Sequence, residues 1–486
     1  MSAGLPAAMG PAAGPGFDLL RLPVLGRFLR WSGSRWALQL PMLAIALLML
    51  GHALLGPQLA PKNLGALLTW VHFRGLVVLA LLLAGNLFCM ACPFMLPRDW
   101  ARKLSAPTRV WPRALRNKWP AIALFVAILF GYELFDFWAS PWWTGLLIAG
   151  YFGAALLVDS LFRGASFCKY VCPIGQFNFL GSTLSPLEVG VRDASVCEGC
   201  ATLDCIRGIR REGAVEQRGC ELALFQPRKV GNLDCTFCLD CVYACPHDNV
   251  GLLARFPAEE LSRSGNRSGV GRPEARLDFS VLSVVFTFGA LLNALAMTSP
   301  VHAFLQGVAE FTGLRTEWPL LAALFAVLLL LEPALLLGGA AALTRRLAGV
   351  REPLLALVKS FARSLVPIGF GLWLAHYGFH FFTGLLTVVP VAQNAVMRGL
   401  GRALLGEPRW QLGGLPESVV FPVELGFLLL GLVGSWMVAS GIAREHAPER
   451  AGAAFAPWAL LHLLLFASGV WVMTRPMEMR GTFLGA

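Results

Sequence analysis

The sequence predicts a mainly α, polytopic membrane protein of about nine spanning helices, with a small cysteine-rich α+β domain inserted between the fourth and the fifth. Three observations carry that prediction. Hydrophobic residues make up 56% of the chain and charged ones only 14%, against about 25% in soluble domains, and the mean hydropathy is +0.63. Apolar runs of the roughly 20 residues needed to cross the hydrocarbon recur along the chain. Ten of the twelve cysteines fall within one long polar interval, about 163–278.

Read from the amino terminus, MSAGLPAAMGPAAGPG is rich in Ala, Gly and Pro and is expected to be disordered. It lacks the basic start and adjoining apolar core of a cleaved signal peptide, so residues 1–35 read as a retained cytoplasmic segment. Residues 36–162 hold two helical hairpins, with spans at about 36–56, 66–88, 119–138 and 143–162. Residues 163–252 form the polar, cysteine-bearing domain, and 253–278, which includes LSRSGNRSGVGRPEAR, reads as a solvated linker. Five further spans are expected within 279–474, at about 279–298, 319–342, 365–388, 419–440 and 453–473, before a tail over 475–486. The 365–388 run is interrupted by Pro367, Gly369, Gly371, Gly378 and Gly384. Backbone polar groups in lipid must be satisfied within the chain, so such runs take the form of helices.

The net charge of +11 would in a soluble protein raise the question of nucleic acid. Its placement answers that question. Arg98, Arg102, Lys103, Arg109, Arg113, Arg116 and Lys118 crowd the loop between the second and third spans, and Arg345, Arg346, Arg351, Lys359 and Arg363 follow the sixth. Lys and Arg concentrate in short cytoplasmic loops, so the charge marks topology and not a nucleic-acid surface. The amino terminus is then inside, the carboxyl terminus outside, and the partner met by the surface is a lipid bilayer. Residues 389–418, an outer loop on this count, carry Arg398, Arg402 and Arg409 against the trend.

CTFCLDCVYACP, residues 235–246, spaces its thiols as Cys235-x2-Cys238-x2-Cys241-x3-Cys245-Pro246. A cytoplasmic position keeps thiols reduced, which argues against disulfides and for ligation. The spacing is that of a bacterial [4Fe–4S] run, in which three thiolates on a tight loop cap one cubane and the fourth serves a second cluster. Zinc also takes Cys-x2-Cys pairs, but gaps of two, two and three followed by proline fit it poorly. A second set, Cys197-x2-Cys200-x4-Cys205, lies upstream, with Cys220 fifteen residues further on. Crossed ligation gives one cluster to Cys197, Cys200, Cys205 and Cys245, and the other to Cys220, Cys235, Cys238 and Cys241; local pairing of each run of four is the alternative. The first half departs from the ideal run in its wider third gap, its long insertion and Glu221 in place of proline. The inserted domain is therefore expected to be a two-cluster ferredoxin of the bacterial type.

Two membrane hairpins ending in GNLFCMACPF and GASFCKYVCPI, followed by such a domain, resemble the membrane polyferredoxins, the group of NapH, NosR and CcoG-type proteins, over about residues 36–252. FesM is similar as well. The resemblance implies an electron carrier or oxidoreductase subunit of the bacterial cytoplasmic membrane, holding two [4Fe–4S] clusters. It would pass electrons between the quinone pool or a membrane redox complex and another centre, with a cytochrome or soluble ferredoxin as a further partner. The chain departs from the group in having no room for the periplasmic flavin domain of NosR, and in carrying five further spans where NapH stops.

Cys89, Cys92, Cys168 and Cys172 close the two hairpins, with gaps of two and three residues, and their shared Phe-Cys…Cys-Pro ending hints at an internal duplication. They read as a third iron–sulfur centre, as redox dithiols or a copper-handling site, or as thiols that only pack. The copper reading carries the alternative function, a metal reductase or an assembly factor for a respiratory complex. Ionisable groups inside spans raise questions of the same kind. His376 and His380 lie four apart on one helix face, so a b-type haem would need a second ligand from His462, His52 or His72. Glu332, just before Pro333, is a candidate proton-relay or quinol group, or else a protonated carboxyl bonded to a neighbouring carbonyl. Glu133 and Asp136 are expected to reach water, and Arg74 to snorkel in part.

Overall fold

The computed structural model describes residues 16–212 and 214–476. The expected disorder of the opening stretch, and the tail with Met477 and Met479, lie outside the described residues apart from their innermost positions. Nine apolar helices follow the nine expected runs: α1 (Ser34–Leu55), α2 (Leu64–Ala84), α3 (Trp119–Leu134), α4 (Pro141–Leu161), α5 (Leu277–Leu295), α6 (Trp318–Ala348), α7 (Leu354–Thr383), α8 (Glu417–His446) and α9 (Pro448–Met473). Eight of them are long and apolar enough to cross a membrane, and α3 is the exception.

The third span therefore needs correcting. At 16 residues, α3 is about 24 Å long, short of the roughly 30 Å of hydrocarbon. Its end is set by Asp136, which takes a left-handed conformation at φ 45° and whose carbonyl accepts the Ala139 N–H at 2.9 Å. Asp tolerates that conformation better than most residues. The aromatic run through Trp138 continued the hydropathy after the helix had stopped.

The interrupted seventh run is, by contrast, helical without a break from Leu365 to Thr383, and of its five interruptions only Gly384, at the C-cap, ends it. The N–H of Ile368, one residue beyond Pro367, donates to Ser435 Oγ of α8 at 2.9 Å. A Cβ on Gly371 would come within 2.8 Å of the Phe427 carbonyl oxygen, and one on Gly431 within 2.8 Å of that of Pro367. Gly371, which looked like a break, lets α7 pack backbone to backbone on α8, and Gly369 does the same against Thr287 of α5.

The chain divides into two compact units, one comprising the described residues up to Leu43 with Ala80–Arg116 and Ala155–Pro273, the other Ala44–Leu79, Asn117–Ala154 and the chain from Glu274. The first contains all twelve cysteines. In it β1 (Leu187–Val191) pairs antiparallel with β4 (Val250–Ala254), from Leu187 opposite Ala254 to Val191 opposite Val250. A second antiparallel pair, β2 (Ile209–Arg211) with β3 (Ala214–Gln217), lies in the insertion before Cys220. The alternation of Leu187 and Val189 with Glu188 and Gly190 puts the apolar pair inside.

The segment just after the opening stretch, and the stretch expected to be a loose linker, are both built into this unit. Asp18 bridges to Leu253 of β4, and its carboxylate accepts the N–H groups of Leu20 and Leu252 at 3.0 and 3.3 Å. In the stretch read as a linker, Arg267 is buried and donates to the carbonyls of Glu260 and Arg263.

Candidate metal centre

Cys197, Cys200, Cys205 and Cys245 line one small cavity together with Pro246 and Asn249. Asn249 ties the two ends of the set together: its side-chain amide donates to Cys197 Sγ at 3.3 Å and its backbone N–H to Cys245 Sγ at 3.4 Å. Burial, with the charges of Cys245, Cys197 and Cys200, pushes the Cys205 thiol up to about 11. Cys200 goes the other way, because the Leu203 N–H holds its thiol below the ordinary range.

Cys220, Cys235, Cys238 and Cys241 form a second neighbourhood, in which burial and the charges of Cys220, Cys238 and Cys235 together raise the Cys241 thiol well above the usual value. Cys235 and Cys241 are buried, and the Asn86 amide donates to the Cys235 carbonyl at 2.9 Å. Each neighbourhood thus takes three thiols from one loop and one from the other. The sets are connected where the Cys220 N–H donates to the Cys205 carbonyl at 3.0 Å.

The two loops share a feature that the spacing hid. Leu-Asp-Cys occurs at 203–205, at 233–235 and at 239–241. In the first and the third the Leu is left-handed, at φ 54° and 60°, and a short helix follows, Asp204–Arg207 and Asp240–Ala244; in the second it is Asp234 that is left-handed, at φ 62°. Left-handed residues amid right-handed ones turn successive N–H groups into a concavity for negative charge, a common device around iron–sulfur clusters. Phe237, between Cys235 and Cys238, is left-handed too, at φ 52°. Thiol donors, N–H groups aimed at sulfur and these turns suit iron–sulfur ligation. Among the described residues no three His, Cys, Asp or Glu close upon a single metal ion. Cubane ligands need not do so, since each thiolate binds a different iron and the set surrounds the cluster.

Cys89 lies in a short helix, Leu87–Met90, and Cys92 just beyond it. Cys168 lies in a π-helical turn, Phe167–Val171, and Cys172 caps the helix Pro173–Gly181. Burial pushes the Cys89 and Cys92 thiols up to about 12 and about 11. All twelve cysteines are free of disulfides.

Beside these thiols two of the arginines read as topology charge, Arg98 and Arg102, are withdrawn into ion pairs together with Arg35 and Arg218, while Arg109, Arg113 and Arg116 of the same loop stay exposed. Arg98 is 0% exposed and donates to the carboxylates of Asp99, Asp159 and Glu221 at 2.6, 3.3 and 3.2 Å. Arg102 reaches Glu221 at 2.9 Å, Arg35 reaches Asp240 at 3.3 Å, and Arg218 reaches Asp99 at 3.1 Å. A buried charge must be paired. Glu221, the departure from Cys-Pro, is where three of these arginines meet. Against the upward push of burial, Arg98 and Arg218 hold the Asp99 carboxyl down at about 2.

In the second unit His376 and His380 are buried, with ring centroids 4.8 Å apart. The three candidate second ligands are engaged elsewhere. His462 Nε2 lies 3.1 Å from Ser364 Oγ, about 18 Å along α7 from His376. The Leu64 N–H donates to His52 Nδ1 at 3.2 Å, and His72 Nε2 meets the Leu385 carbonyl at 3.3 Å. Glu332 is half-buried where a π-helical turn, Val327–Leu331, gives way to α-helix. Glu133 accepts from the Asn293 amide at 3.2 Å. Arg74 does not simply snorkel: its guanidinium carbon lies 5.1, 5.4 and 4.5 Å from the ring centroids of Trp70, Tyr132 and Tyr377.

No family model matches the chain, and no solved structure does. The chain is similar to the "Putative electron transport protein YccM" of Escherichia coli (strain K12), at 34% identity over 91 residues. That stretch is 19% of this chain and 22% of the relative, so the match spans about a fifth of the relative's length. The mainly helical, multi-pass architecture with eight membrane-length helices is compatible with a membrane electron-transport protein.

Proposed function

We propose that the chain is a membrane-bound electron-transfer protein with two [4Fe–4S] clusters, one on Cys197, Cys200, Cys205 and Cys245, the other on Cys220, Cys235, Cys238 and Cys241. The observation that carries this reading is the exchange of one thiol between two loops that share a left-handed Leu-Asp-Cys turn. The name of the E. coli relative adds support. When bound, such clusters supply one-electron couples. The chain holds the thiolates, aims the Asn249 N–H groups at two of them and keeps water from the Cys235 and Cys241 sulfurs. Arg35 pairs with Asp240, so that the carboxylate between two ligands does not stand unpaired beside negative sulfur.

On this reading the partners are quinol or a membrane redox complex on one side and a soluble ferredoxin or cytochrome on the other. The cysteine-bearing unit faces the cytoplasm, the amino terminus is inside and the carboxyl terminus outside a bacterial cytoplasmic membrane. Anaerobically purified protein is expected to show a broad sulfur-to-iron absorbance that bleaches with dithionite, and Cys238→Ser to remove one of two paramagnetic signals. Colourless protein containing zinc, or a Cys238→Ser variant with both signals intact, would overturn the assignment.

A further inference from the structure

The two hairpin ends meet, and the contacts run from each to the other. The Asn178 side-chain amide, six residues past Cys172, donates to Cys89 Sγ at 3.3 Å. Met95, three residues past Cys92, places its Sδ 3.5 Å from Cys168 Sγ. Cys172 Sγ in turn accepts the Gly175 N–H at 3.2 Å. A Cβ on Gly175 would stand 3.1 Å from the Cys168 carbonyl oxygen and 3.3 Å from Cys172 Cβ, so a larger residue would crowd this turn. N–H groups aimed at sulfur recur here as at Cys197 and Cys245, and thiols that merely fill space have no need of them.

The surroundings are built rather than incidental. Asp159 accepts the Phe167 N–H at 2.8 Å, fixing the start of the turn that carries Cys168, and its other oxygen is paired with the enclosed Arg98. The site also adjoins the buried four-thiol set. Asn86, three residues before Cys89, donates to the carbonyl of Cys235, and Gly85, left-handed at φ 68°, leaves room for the Phe237 ring, which a Cβ there would approach to 2.6 Å.

We propose that Cys89, Cys92, Cys168 and Cys172 hold a third iron–sulfur cluster, the next step of a relay from the Cys220, Cys235, Cys238 and Cys241 cluster toward the hairpins. The step is a one-electron exchange between adjacent clusters: one is oxidised by one level, the other reduced by one, and no bond or proton moves. The relay rests on the two-cluster reading; the third site itself stands on its own contacts.

Iron and acid-labile sulfide per full-length chain, measured on anaerobic protein, test it. Two cubanes give about eight iron, and a third centre raises the count to about ten or twelve, according to its nuclearity. Cys89→Ser and Cys172→Ser should each bring the count back to about eight while both other paramagnetic signals persist. A count near eight in the unaltered chain, or copper in place of iron lost on Cys89→Ser, overturns the third cluster and leaves the two-cluster reading standing. A chain without iron overturns both. Because the unaltered chain is counted first, a variant that fails to fold does not blunt the test.

Discussion

In the loop from Cys197 to Cys205 four of the six residues between the thiols, Glu198, Gly199, Ala201 and Thr202, are exposed and Leu203 and Asp204 are half-buried; in the loop from Cys235 to Cys241, Phe237, Leu239 and Asp240 are buried. The thiol pattern is shared, yet one copy is embedded among paired arginines and the other looks out on water. In the first, a two-stranded hairpin has been inserted before the exchanged cysteine; in the second, three residues suffice. The contrast teaches that a ligand pattern fixes what can be held, while the surroundings decide where electrons enter and leave. On the proposed two-cluster reading, the exposed copy suits exchange with a soluble partner, and the buried copy suits transfer within the chain.

The sharpest way to break the comparison is through the arginines. Arg98→Ala leaves three carboxylates facing an enclosed site, and removing one partner of a buried ion pair costs about 3–5 kcal/mol. The melting temperature of the purified protein should fall steeply, with loss of iron from the buried set before the exposed one. Iron lost equally from both sets would mean that the two halves are not separately supported.

Acid is a gentler probe of the same network. The Asp99 carboxyl is held at about 2 in the folded chain against an ordinary value of 3.8. A carboxyl depressed on folding contributes stability that is present above the unfolded value and lost as pH falls through the folded one. The contribution, on the order of 2 kcal/mol, should disappear between about pH 4 and pH 2, and Asp99→Asn should flatten that limb of the unfolding curve. An unchanged acid limb in Asp99→Asn would remove Asp99 from the network's energetics.

The spans were legible because hydropathy is a local property: eight of the expected runs are membrane-length helices, though the helices α2, α3 and α7 stop four or five residues before the expected ends, α3 at a turn at Asp136 that interrupts no apolar pattern. The polar surroundings were not legible. Nothing local marks Arg98 as enclosed, since its partners Asp159 and Glu221 lie 61 and 123 residues away. Asn249 and Asn178 were missed for the same reason, being ordinary polar residues until the fold aims them at sulfur. The repeated Leu-Asp-Cys could not align the two halves by itself, because it occurs three times and only the fold shows that Leu203 and Leu239, not Leu233, take the left-handed turn.

On the exposed side, Asn249→Ala removes the amide donated to Cys197 Sγ, while its backbone donor to Cys245 stays. Hydrogen bonds to sulfur favour the reduced, more negative cluster, so the midpoint of the exposed set should fall. One bond worth about 1 kcal/mol corresponds to roughly 40 mV for a one-electron couple. A potentiometric titration followed by paramagnetic resonance should show that set moving and the buried set still. Movement of both would indicate that the loops share one electrostatic environment.

The smallest effect belongs to the inserted hairpin. Arg211 and Glu216 pair across β2 and β3 at 2.9 Å, with side chains 79% and 46% exposed. Water screens such a pair, and ordering two long side chains offsets much of what attraction remains. Arg211→Ala should therefore change the melting temperature only within the scatter expected of about 0.5 kcal/mol, and added salt should shrink even that. The chemistry of this pair, a guanidinium on a carboxylate, is that of Arg98 with Asp159, so the two substitutions differ in enclosure and in the number of carboxylates left behind, one against three. If Arg211→Ala proved as damaging as Arg98→Ala, the hairpin would have to be covered in the working protein, and the exposed half would be a docking surface with its partner in place.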